Sequence, residues 1–211
     1  MPAMMVVHPL VRHALSCLLV ILASLPPPVH SAAEVSIEIE LAETTPTTLR
    51  AERVLRELLA RYDLRAYAFT RKVRIESGVI PHSHPILTLN TRSLDDPERW
   101  LAQYLHEQIH WFLSAREAAT QQAIAAFKQR YPDLPSGRDQ VARNAYSTYL
   151  HFAVNWLELK ALRHYLGAAR AERILSTQPF YRWVYAAVIR DEAAIAEIMR
   201  QHGLVIDPEA D

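Results

Sequence analysis

The stretch LHEQIHWF, residues 105–112, constrains this chain more than any other. Trp100, Leu101, Leu105, Trp111, Phe112 and Leu113 surround it with bulky apolar side chains. A helix so apolar is buried, and His106, Glu107 and His110 within it are costly there unless they are coordinated or paired. The fold must therefore bring something to meet them. The helix has a clear start, because Asp96 is a side-chain cap, Pro97 suits the first helical position and Glu98 favours the positive end of the dipole.

On a helix, residues four apart lie one turn apart on the same face. His106 and His110 can point two imidazoles at one metal ion, and Glu107, one position round, can reach a water bound to that metal. This is the H-E-x-x-H arrangement, in which zinc polarises the water and the carboxylate takes its proton. Ten histidines give chance some scope to produce the pattern, so its surroundings have to support it.

Those surroundings begin with the leading segment. ALSCLLVILASL, residues 14–25, is too short to cross a bilayer core but suits the apolar region of a secretory signal. Small residues at Ser31 and Ala33 place cleavage near Ala33, leaving 34–211 as one exported domain, periplasmic or secreted, with no membrane span in the mature chain. The one cysteine, Cys17, lies in the part removed. Disulfides, a thiolate nucleophile and soft-metal clusters are thereby excluded from the mature protein. The formal net charge of +0 offers no electrostatic reason for nucleic acid or an anionic membrane as partner.

The fold class expected is α+β, a small N-terminal β-α-β-β sheet followed by a helical bundle. VSIEIEL (35–41) alternates as a strand does, the leucines of 44–64 mark an amphipathic helix, and 66–77 and 85–92 read as further strands around a turn near Gly78. Helices are expected from Pro97 through the histidines, over 116–131, over 138–166 up to Gly167, and over 180–188 and 191–202.

The long helix 138–166 carries the remaining candidates. At 100° per residue, Ser147, His151, Asn155 and Glu158 fall within about 60° of one another on an otherwise apolar cylinder. Facing the paired histidines, Glu158 would complete a three-ligand site with an open fourth position. His151 is the alternative third ligand, since either residue type binds zinc. With Glu158 ligating, His151 could donate to an oxyanion and Asn155 could orient the ligands. His82 and His84 read as turn-proximal residues beside prolines, and Tyr146, Tyr149, Tyr181 and Tyr185 first as aromatic packing.

The motif and the order of elements, with a short strand just before the histidine helix, resemble the zincin metallopeptidases. Leu113 and Arg116 stand where the metzincin form has a glycine and a third histidine, so the resemblance is to the gluzincin form, which takes a glutamate from a later helix. Leu162 stands where the thermolysin-like pattern has an aspartate. The resemblance implies one Zn2+ ion, a peptide or protein substrate, and pairing of that substrate's main chain with the strand at 86–90. The function expected is therefore a zinc-dependent hydrolase, a peptidase first, with Glu107 as general base. The rival is a non-catalytic cell-envelope protein using the same residues as a structural zinc site or a polar packing network. A zincin scaffold that hydrolyses a non-peptide bond is the third reading.

Overall fold

Local capping starts each element that builds the site. Thr45 accepts from Thr48 N (3.2 Å) in a reciprocal capping box, with Pro46 at the first helical position, and opens α1 (Pro46–Arg61). Asp96 accepts from Arg99 N (3.1 Å) and opens α2 (Pro97–Ser114). Asn144 accepts from Ser147 N (2.8 Å) and opens α4 (Ala145–Leu166). Between the last two lies α3 (Glu117–Arg130), and α5 (Ala168–Ser176), α6 (Arg182–Arg190) and α7 (Glu192–Gln201) follow. These elements come from a computed structural model that describes residues 36–209, so the proposed signal segment lies outside the described residues.

The described residues form an α+β fold that is mostly helical, seven helices with one small sheet. Strands β1 (Glu38–Leu41), β2 (Lys72–Ile75) and β3 (Leu87–Leu89) pair in that order, all parallel, with Ile39 opposite Val73 and Val73 opposite Leu87. Helix α1 makes the crossover from β1 to β2. From β2 the chain turns at Gly78 (φ +78°), passes along the outer side of β3 and returns as β3 itself. On that outer side His82 and Thr88 exchange two main-chain hydrogen bonds (3.1 and 2.7 Å).

Helix α4 is the centre of the helical layer and packs against α2, α3, α5, α6 and α7. Most of its residues from Thr148 to Leu162 are buried, which is why it is apolar nearly all round. Phe152 is fully buried there, stacked on Tyr131 (centroids 4.4 Å) and Phe127 (5.4 Å) and edge-on to Trp183 (5.6 Å). Phe152→Ala is expected to lower the unfolding free energy by about 3–5 kcal/mol in urea titration. A loss below about 1 kcal/mol would mean that this aromatic contact does not hold α3 and α6 against α4.

Two expectations change. The 138–166 helix begins only at Ala145, because Asn144 caps it and residues 138–144 form a loop. The carbonyls of Asp139 and Gln140 in that loop accept from Arg182 N (2.9 Å) and Trp183 N (3.2 Å), the free amides at the start of α6. Gly167 ends α4, but at φ +83° it also begins α5 directly, a helix that its reading as a simple stop had left out. No helix of the described residues is long and apolar enough to cross a membrane.

Candidate metal centre

His106 and His110 project from α2 and His151 from α4, and each offers a ring nitrogen within 4.8 Å of the other two. The ring centroids form a nearly equilateral triangle with sides of 5.1, 5.4 and 5.2 Å. Three imidazoles this close and this buried can bind a metal ion.

Their outer nitrogens decide which atoms face the centre. His151 Nδ1 lies 2.6 Å from the Ser147 carbonyl, which can only accept, so Nδ1 carries the proton and Nε2 keeps its lone pair. His106 Nδ1 donates to Glu158 Oε2 (2.9 Å), which also leaves Nε2 inward. That same carboxylate oxygen accepts from the Tyr185 hydroxyl (2.8 Å), and Tyr185 is itself buried. An outward N–H held by a carboxylate or carbonyl is the usual way proteins orient an imidazole on a metal. No hydrogen bond to the His110 ring is present among the described residues.

Two of the donors are also in the right protonation state. Burial drives His110 well below the ordinary imidazole range, and the neighbouring His106 and His151 push it the same way. Burial takes His151 down to about 3, again with help from His106. Both are neutral bases at physiological pH, as a ligand must be. His106 differs. Burial lowers it, but the Glu158 hydrogen bond and the charges of Glu158 and Glu107 outweigh that, so its net shift is upward. The donor set fits a borderline metal such as zinc.

Glu158 is the third ligand expected from the sequence, with His151 the alternative. It stands outside the group of three nitrogens and holds His106 from behind, and the third donor brought together with His106 and His110 is His151. His151, also expected as an oxyanion donor, has its Nδ1 proton on the Ser147 carbonyl. Asn155, expected to orient the ligands, is fully buried, but its amide atoms have no hydrogen-bond partner among the described residues.

Glu107 is 6% exposed, and burial raises its carboxyl to about 7 even though His106 and His82 pull it down. It lines, with the three histidines, a cavity of about 890 Å3. His82 borders that cavity, whereas His84 stacks on Trp111 with centroids 4.2 Å apart. Tyr181, at φ +54°, stacks on the His151 ring at 4.0 Å and forms another wall. The sequence marked Tyr181 and Tyr185 as packing residues, and nothing in their spacing distinguishes a tyrosine that backs a carboxylate from one that fills a core.

The strand proposed to receive substrate is closed on its outer side. Thr88 spends its amide and carbonyl on His82, Asn90 N donates to Gln103 Oε1 (2.9 Å), and the Asn90 carbonyl accepts from Trp100 Nε1 (3.2 Å). The 86–90 segment thus has its outward main-chain groups at Thr88 and Asn90 already satisfied, because the loop before it folds back as an antiparallel neighbour. Comparison of the chain with family models, with curated proteins and with solved structures gave no match.

Proposed function

We propose that this protein is an exported zinc-dependent hydrolase acting on peptides, with His106, His110 and His151 as the metal donors and Glu107 as general base. The observation that carries the reading is the convergence of three inward imidazole nitrogens, two of them oriented from behind, beside a buried carboxyl at the wall of a large cavity. A zinc ion in such a set supplies Lewis acidity and lowers the pKa of a bound water to about 7.

The protein's own groups perform the rest. Glu107, with its carboxyl raised to about 7, is matched to taking a proton near neutrality and returning it to the departing amine. Glu158 and the Ser147 carbonyl hold two of the imidazoles in one tautomer and orientation. The Tyr181 phenol, on the same wall as His151, is the group suited to donate a hydrogen bond to a developing oxyanion.

A catalytic reading is favoured over a structural one by the count of protein donors. A structural zinc is closed by four. Here three nitrogens are grouped, and the nearby carboxylate of Glu158 is committed to His106 and Tyr185. Metal analysis of the purified mature chain is expected to give one zinc per chain, and hydrolysis of a mixed peptide library to stop on chelation and return with zinc. A chain that holds no zinc, or hydrolysis indifferent to the chelator, would remove the proposal.

A further inference from the structure

Of the four arginines lining the cavity, Arg99 pairs with Asp96 (3.5 Å), and the other three have no charged partner among the described residues. Arg92 lines it from the segment after β3, and Arg138 and Arg143 from the loop before α4. None of the three guanidinium groups has a hydrogen bond or ion pair to a described residue. Elsewhere the chain pairs its arginines freely, Arg50 with Asp95, Arg56 with Glu52, and Arg163 with both Glu172 and Glu192. The carboxylates lining the cavity are Glu107 and Glu158, both buried and set at the histidines.

The backbones that present these arginines are pinned. Arg92 N donates to Asn90 Oδ1 (3.0 Å), just before Ser93 at φ +58°. The 138–143 loop is tied to the start of α6 through Asp139 and Gln140, and to α4 through Ala142 N donating to Thr148 Oγ1 (3.1 Å). The Arg143 charge acts on the phenol of Tyr181, another residue of the cavity wall. Guanidinium groups on fixed loops facing one cavity form a preorganised receptor for carboxylates.

We infer that the cavity selects an acidic peptide, gripping carboxylates of the substrate with Arg92 from the segment after β3 and Arg138 and Arg143 from the loop before α4. This rests on the hydrolase reading and names its substrate class. A discrete carboxylate fits better than a nucleic acid, because the chain as a whole has a formal net charge of +0 and so lacks the general basic excess that follows a polyanion.

The test measures binding apart from turnover. Fluorescence anisotropy with the full mature chain compares a labelled Glu-containing peptide with its Gln counterpart, with inorganic phosphate and a short single-stranded DNA as competitors. The expected result is about ten-fold or greater preference for the Glu peptide, lost in R92Q/R138Q/R143Q with an unchanged melting temperature. Equal binding of the two peptides, or a preference that survives the triple substitution, would overturn the inference. So would phosphate or DNA displacing the Glu peptide at concentrations where excess unlabelled Glu peptide does not. Acidic-peptide binding with no hydrolysis of any peptide would instead count against the hydrolase reading alone, and hydrolysis that ignores acidic residues against this inference alone.

Discussion

Glu107→Gln is expected to lower kcat/KM by about 10^2–10^4-fold while the protein keeps its zinc and its fold. The amide preserves the shape of the side chain but cannot take a proton, so only the acid-base step is removed. Zinc should stay because Glu107 is outside the group of three nitrogens. Stability should hold or rise, since the substitution replaces a buried carboxyl, already raised to about 7 by burial, with a neutral group. Peptide hydrolysis and metal content measured on the same sample decide the matter. An E107Q protein that holds zinc and hydrolyses at the wild-type rate would mean that Glu107 is not the base.

His151→Ala and Glu158→Gln should separate a ligand from the residue behind a ligand. Losing one donor of a four-coordinate site removes about a quarter of the 10–16 kcal/mol that structural zinc sites provide, so H151A should weaken zinc roughly a hundred- to a thousand-fold. Glu158→Gln leaves an oxygen that can still accept from His106 Nδ1 and from Tyr185, and removes only the charge. Its cost should be about ten-fold, toward the low end of what such supporting residues show. Competition with a chelating zinc indicator measures both. A larger loss in E158Q than in H151A would reverse the two roles.

The histidine helix was legible because every signal for it is local. Asp96, Pro97 and Glu98 mark its start, and the four-residue spacing of His106 and His110 places them on one face whatever α2 packs against. The third donor is a different kind of question. Periodicity puts His151, Asn155 and Glu158 on one stripe of α4, but His151 and Glu158 are two turns, about 10 Å, apart along the axis. Which of them meets the metal depends on where α2 crosses α4. The crossing sets His106 between them, with Nδ1 on Glu158 and its other nitrogen in the group that includes His151. The geometry groups His151, the alternative ligand, with the paired imidazoles and sets Glu158 behind His106.

The remaining differences have the same origin. Closure of the β3 edge comes from a main-chain exchange between His82 and Thr88, and neither side chain announces it. Tyr185 became the second donor to Glu158 only when α6 came to rest beside α4. Local chemistry is written in short spacings, whereas long-range docking is decided by the whole packed core.

The most direct measurement is a crystal of the mature chain grown with zinc, with anomalous scattering collected at the zinc edge. The account predicts one anomalous peak about 2.0–2.1 Å from the Nε2 atoms of His106 and His151 and from a ring nitrogen of His110, with Glu158 still on His106 Nδ1. A peak bonded to the Glu158 carboxylate with His151 turned away, or no peak among the three imidazoles, would contradict it.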